Sequence, residues 1–125
     1  MVKAATLVGV GALEIRTVLA IVEAAHERTV RQITSLEGVV AAIVEGSELT
    51  ATDDEHDPEG ATIAYERAQA TALLRQARSD IDALLTTRSQ LLEHEQVVCA
   101  DCRCSIDLER VAALPTAKRC IDCAA

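Results

Sequence analysis

The sequence has almost no aromatic residues: among 125 residues there is one Tyr, and there is no Phe or Trp. Because aromatic side chains supply much of the bulk of a thick globular core, we expect no core of that kind. Half of the residues are nevertheless apolar, and they are mainly Ala, Val, Leu and Ile. Small and aliphatic side chains suit the narrow seams between packed helices, so the composition favours an all-α fold.

Basic residues are also scarce: 12 Lys and Arg stand against 20 Asp and Glu, which gives a formal net charge of -8. A chain with this charge is repelled by nucleic-acid phosphates and by anionic lipid. We therefore expect no direct sequence-specific DNA binding and no membrane association. A basic surface on another protein is the partner that the charge favours.

A convincing signal peptide is missing as well. Residues 1–12 contain one Lys and a short apolar run, but the run is too short to span a membrane and has no clear small-residue cleavage site. We interpret residues 1–12 as a leader that need not be ordered. Five clustered cysteines in a chain of this kind indicate a reducing compartment and a metal, so we expect a cytoplasmic protein.

Only two Pro residues are present, and Pro58 lies in an acidic turn between two segments with helical periodicity. In both segments apolar residues recur mostly in steps of three, four or seven, as in a coiled coil. Helices of similar length joined by a short connection pack antiparallel. Residues 13–98 are therefore predicted to form a hairpin of two helices, over about 13–48 and 58–96, although an intermolecular coiled coil fits the same pattern. The predicted seam residues are Leu19, Val22, His26, Thr29, Ile33, Leu36, Val40 and Ile43 on the first helix, and Ile63, Ala70, Leu74, Ala77, Ile81, Leu84, Leu91 and Val98 on the second.

The five cysteines all lie within residues 99–123. Four of them form two Cys-x2-Cys knuckles that are 17 residues apart, which is the spacing of a structural zinc site. The predicted zinc ligands are Cys99, Cys102, Cys120 and Cys123. Because four thiolates fill a tetrahedral ion, no position remains for an activated water, and we expect one structural Zn²⁺ in a finger over residues 99–125.

The other residues between 99 and 125 predict three further features of the finger. Arg103, Lys118 and Arg119 can offset the charge of -2 that four thiolates and Zn²⁺ carry. A single short helix should lie between the knuckles, with Asp107 as its cap and Pro115 after its end. The fifth thiol, Cys104, is either a spare cysteine or a redox reporter, and the spare cysteine is the more common case.

The turn at residues 52–60, the acidic tip, carries Asp53, Asp54, Glu55, Asp57 and Glu59. Asp57 precedes Pro58 and is suited to cap the second helix. The tip acids can also dock against basic groups of a partner, or hold Mg²⁺ as a transcript-cleavage factor would. Docking is the reading that we favour.

The two knuckles, the run Leu-Pro-Thr-Ala at residues 114–117, and the acidic tip followed by Ile-Ala-Tyr-Glu-Arg-Ala at 63–68 together resemble the DksA/TraR-type zinc-finger transcription factors. The resemblance implies a bacterial, cytoplasmic, non-enzymatic regulator that binds RNA polymerase. In that family the coiled coil enters the secondary channel of the polymerase, and the tip approaches the active centre and alters initiation. A transcript-cleavage factor and a zinc-stapled interaction scaffold are the alternatives.

The sequence departs from the family pattern at three positions. The family tip reads Asp-x2-Asp-x-Ala, and the resemblance aligns Asp54 and Asp57 with its aspartates but Glu59 with its Ala. Arg103 stands where a Gly usually follows the second cysteine. Leu114 stands where members that respond to guanosine tetraphosphate have Arg, which argues against a response to that nucleotide.

Overall fold

A computed structural model describes the backbone of residues 8–49 and 58–124 and the side chains of residues 14–46 and 60–124. Two long packed helices dominate this part of the chain, and a small finger with a four-cysteine cluster follows them. The predicted all-α class is thus confirmed. In chain order the elements are helices α1 (Val8–Leu49) and α2 (Pro58–His94), strands β1 (Val97–Val98) and β2 (Ser105–Ile106), and helices α3 (Leu108–Ala113) and α4 (Ile121–Ala124).

Helix α1 covers the stripe of side chains that the heptad pattern predicts. Val22 is completely buried, and the other seven predicted residues, from Leu19 to Ile43, are half-buried. Polar neighbours such as Glu27 and Arg31 are exposed. Burial of one narrow stripe is what keeps so long a helix in place, since helical propensity alone is a weak force.

Helix α2 follows its predicted stripe as far as Leu91, whereas Val98, the last residue of the predicted stripe, lies beyond the helix in β1. Five of the predicted residues are buried and Ile63 and Ile81 are half-buried. The helix ends at His94 because Glu95 adopts a left-handed conformation (φ 58°) and donates its N–H to the Leu91 carbonyl at 3.1 Å. The five buried residues are Ala70, Leu74, Ala77, Leu84 and Leu91.

Two compact units divide the structure, and both helices contribute to each of them. Of the described residues, the finger unit comprises those up to Arg28 and those from Asp80 onwards, and the helix-pair unit comprises those between Thr29 and Ser79. Within the finger unit Glu23 and Arg88 form an ion pair at 2.8 Å. Within the helix-pair unit Glu37 and Arg78 do so at 2.8 Å. A later residue on α1 thus pairs with an earlier residue on α2, which is the antiparallel order predicted for a hairpin.

The main core of the described chain belongs to the finger unit. It combines side chains of both long helices with side chains of the finger, and Cys99 is one of its fully buried members. The finger is therefore packed on the helices rather than tethered to them. The buried members of this core are Val18, Val22, Ala25, Leu84, Leu91, Val97, Cys99, Ile106 and Val111.

The first helix begins earlier than the sequence pattern suggested. Helix α1 starts at Val8, inside the segment 1–12 that was interpreted as a leader, whereas Met1–Leu7 lie outside the described residues. Among the described helices none combines the length and the apolarity that a membrane crossing requires.

Candidate metal centre

The first knuckle begins at the end of the two-stranded ribbon. Val97 pairs with Ile106 and Val98 with Ser105, so the chain between them must form a tight loop. In that loop the Cys99 N–H donates to the Cys104 carbonyl at 2.8 Å. The Arg103 N–H donates in return to the Cys99 carbonyl at 3.1 Å. These bonds curl the loop so that Cys99 and Cys102 face one point.

The second knuckle is built at the start of α4. The Ala124 N–H donates to the Cys120 carbonyl at 2.9 Å, which closes the turn that carries Cys120 and Cys123. A further bond, from the Ala100 N–H to the Lys118 carbonyl at 2.8 Å, links the two knuckles through the backbone. The four predicted ligands therefore come together through backbone hydrogen bonds, and Arg103 of the first loop adopts a left-handed conformation (φ 67°) to do so.

The four sulfur atoms have the separations that one tetrahedral metal requires. All of them lie within 4.8 Å of one another, and Cys102 Sγ is 3.7 Å from Cys120 Sγ. A Zn–S bond of about 2.3 Å implies sulfur atoms about 3.8 Å apart in a regular tetrahedron. The donor set fits Zn²⁺, and these four cysteines form the site of one structural zinc ion, which would cross-link the two knuckles.

The thiols of the metal-free site differ in acidity. Hydrogen bonds from the backbone N–H groups of Cys102 and Cys120 lower the pKa of Cys99 from 9.0 to about 6, although burial opposes them. The Cys123 thiol instead donates hydrogen bonds to the sulfurs of Cys120 and Cys102, and this raises its pKa to about 12. One thiolate is thus ready for the metal at neutral pH, whereas the Cys123 proton must leave when the metal binds.

The three predicted cations all lie near the site, in two different arrangements. Arg103 and Lys118 line a cavity of about 260 Å³ that is also bordered by Cys99. Arg119 forms an ion pair with Asp101 of the first knuckle, with Arg119 Nε 3.1 Å from a carboxylate oxygen. Two of the three cations therefore share a cavity with Cys99, whereas the charge of Arg119 is paired with that of Asp101.

Two polar residues of α2 hold the finger, and the sequence analysis missed both. Thr87 is 3% exposed and donates its hydroxyl to the Pro115 carbonyl at 3.1 Å. Gln90 accepts the Val98 N–H at 2.8 Å. The available signal was a polar residue beside the heptad stripe. Such a residue predicts a contact only when the element that packs against it is already known.

The segment between the knuckles contains the single predicted helix, α3. Asp107 occupies the N-cap position, as predicted, and its carbonyl accepts the Val111 N–H at 3.1 Å, but its side chain forms no capping hydrogen bond. The helix ends at Ala113, before Pro115, as predicted. Cys104 is exposed and lies outside the four-sulfur group.

The structure does not describe the side chains of the predicted tip residues. Asp53, Asp54, Glu55 and Asp57 lie outside the described residues, and Glu59 is described only as part of the first turn of α2. The proposed roles of these acids therefore stay predictions. The start of α2 at Pro58 agrees with the preference of proline for the first turn of a helix.

Comparison with known proteins identifies the finger. Residues 94–125 match the family model of the prokaryotic DksA/TraR C4-type zinc finger. This segment is a zinc finger of the DksA/TraR type. This match confirms the resemblance found in the sequence for the finger segment, which contains all four predicted zinc ligands.

The whole chain, including the long helices, was compared with solved structures. Among solved structures, the chain is similar to the transcription factor DksA2 from Pseudomonas aeruginosa, with 20% sequence identity and a TM-score of 0.48. The similarity covers 84% of this chain and 81% of that one. No curated protein sequence matches the chain significantly.

Proposed function

We propose that this protein regulates bacterial transcription by binding RNA polymerase, and that it does so without catalysing a reaction. One observation carries the proposal: a DksA/TraR-type finger shares a single hydrophobic core with both long helices. A finger that packs on both helices in this way can hold the start of α1 and the end of α2 together. The proposed site of action is the cytoplasm, where the polymerase is found.

The finer proposal concerns the acidic tip. We propose that the hairpin enters the secondary channel of the polymerase and that Asp54 and Asp57 act near the active centre after docking. Two features support it: the antiparallel pairing of α1 and α2, and five acidic side chains between Asp53 and Glu59. Acids packed this closely repel one another, and basic groups of a partner would relieve that repulsion.

Binding can be measured with purified zinc-loaded protein and purified bacterial RNA polymerase. Saturable binding to the polymerase, weakened by salt, is the expected result, because the contact involves an acidic surface. A failure to bind the polymerase core enzyme at low salt would contradict the proposed function. Free DNA serves as the control ligand and should not be bound.

The tip is tested by transcription in vitro with the double variant Asp54→Asn, Asp57→Asn. This variant should retain polymerase affinity and lose the effect on initiation, because only the charges that act after docking are removed. Full regulatory activity of the double variant would refute the role of the tip. Shortened transcripts in stalled complexes that depend on these acids would instead identify a cleavage factor.

The same assay addresses nucleotide control. Leu114 is 47% exposed at the end of α3 and offers no charge to a phosphate group. We therefore propose that guanosine tetraphosphate does not enhance the effect of this protein. A dose-dependent enhancement that is absent when the protein is omitted would contradict this.

A further inference from the structure

The two knuckles need a means of staying together that does not depend on the metal. Each knuckle brings two of the four thiols, so the site exists only while the two knuckles lie side by side. The backbone bond from Ala100 to Lys118 supplies part of the connection. The ion pair between Asp101 and Arg119 supplies a second part, because the acid belongs to one knuckle and the base to the other.

The positions of these two residues give the ion pair its importance. Asp101 immediately precedes the ligand Cys102, and Arg119 immediately precedes the ligand Cys120. The sulfurs of those two ligands are 3.7 Å apart. An ion pair of 3.1 Å between the preceding residues therefore restrains the two ligands that must remain neighbours around the metal.

Arg119 is itself held at a second point. The Arg110 side chain of α3 donates its Nε–H to the Arg119 carbonyl at 3.0 Å. The backbone of Arg119 is thus fixed by one arginine while its own guanidinium reaches across to Asp101. Because the backbone is already fixed, less conformational freedom is lost when the ion pair forms than in a pair between two mobile side chains.

The exposure of the ligands indicates which step this ion pair controls. Cys99 is buried in the hydrophobic core, whereas Cys102 is exposed and Cys120 is half-buried. Zinc release should begin at an accessible thiolate, because water or a chelator can replace that thiolate on the metal. Cys102 and Cys120 are such thiolates, and they are the ligands beside the ion pair.

We propose that Asp101 and Arg119 form a clamp across the two knuckles that positions Cys102 and Cys120 and slows the loss of zinc. The clamp residues do not touch the metal; they are positioning residues. Both side chains are about half exposed, at 49% and 59%. Ion pairs of that exposure contribute modestly, so removal of the clamp should accelerate zinc release roughly twofold to fivefold.

The experiment measures the rate at which the zinc-loaded full-length protein transfers its metal to a chromogenic chelator. Arg119→Ala should release zinc roughly two to five times faster than the wild type. Lys118→Ala is the matched control, because it removes the same charge one residue further from Cys120, and among the described residues Lys118 forms no ion pair with an acid. Its release rate should stay close to that of the wild type.

A second pair of variants tests the clamp from its acidic side. Asp101→Asn should also release zinc faster, whereas Asp122→Asn, which neutralises the corresponding acid before Cys123, should not. The double variant of Asp101→Asn with Arg119→Ala should be no faster than the faster single variant, because both changes remove one interaction. In about 1 M salt the differences should shrink, since charge interactions are screened.

Cobalt substitution separates positioning from collapse of the site. All variants should give the absorption spectrum of tetrahedral cobalt with four thiolates, which shows that the ligand set is retained. Equal acceleration by Arg119→Ala and Lys118→Ala would overturn the proposal, because general electrostatics would then suffice. Unchanged release rates in both clamp variants would overturn it as well.

Discussion

The packing of the finger on the helices predicts a large effect of truncating Leu84. This side chain is 1% exposed in the core that Val22, Leu91 and Cys99 also form. Leu84→Ala deletes three buried carbon atoms, each worth about 0.8 kcal/mol in transfer from water, and leaves a cavity that adds to the loss. Together these effects predict a loss of about 3 kcal/mol in the free energy of unfolding.

The sequence supplies a matched control in the next residue. Leu85 is 42% exposed, so Leu85→Ala removes the same atoms from a side chain that is only partly covered. We expect this change to cost less than about 1 kcal/mol, since alanine favours the helix slightly and the lost contacts are few.

Thermal unfolding of the zinc-loaded variants, followed by circular dichroism, distinguishes the two. A loss of about 3 kcal/mol lowers the midpoint by roughly 10 °C in a chain of this size, and the control should shift it by only a few degrees. Equal shifts for both variants would refute the reasoning, because they would mean that Leu84 is no more buried than Leu85. Unchanged zinc content in both variants is the necessary check on the fold.

Four further outcomes follow from the same structure. Cys120→Ser should reduce the zinc content measured by metal analysis well below one per chain and lower the melting temperature, because three thiolates bind the ion less tightly. Arg103 has a left-handed backbone (φ 67°), so Arg103→Gly should be more stable to heat than Arg103→Ala by about 1 kcal/mol. Gly38 lies within α1, and an added Cβ there would meet nothing within 4 Å; Gly38→Ala should therefore stabilise the protein to denaturant by about 0.5–1 kcal/mol. Zinc binding must displace the Cys123 proton below pH 12 but the Cys99 proton only below about pH 6, so calorimetry should find more protons released per zinc below about pH 6 than above it, and constant release would contradict those pKa values.

The heptad pattern predicted the seam between α1 and α2 but only part of the finger unit. Val22, Leu84 and Leu91 were found because they repeat at the spacing of one helix against one partner. Val18 and Ala25 are buried as well, and they lie beside the predicted stripe. In the finger unit α1 also packs in a core with side chains of the finger. The heptad pattern describes only the contact between two helices, so it does not predict residues that are buried by this third element.

The zinc site was predictable, whereas the short elements around it were not. The four ligands follow from cysteine spacing, since thiolate chemistry restricts the alternatives. Strands of two residues have no periodicity, and β1 and β2 depend on burial of Val97 and Ile106 and on the loop between them. The Asp101–Arg119 pair joins residues that are distant in sequence, so only the assembled site reveals it.

Cys99 connects the metal to the stability of the long helices. Its sulfur is a zinc ligand, and the residue is fully buried in the core with Val22 and Leu84. In the helix-pair unit the buried apolar residues of the described chain are only Ala70, Leu74 and Ala77, which form a thin seam. Because apolar burial provides most of the stability of a small fold, the finger unit should stabilise the helices more than this seam does. Removal of zinc would free Cys99 from its cross-link and so weaken the packing that holds α1 against α2, which makes the metal part of the helical hairpin and not an accessory to it.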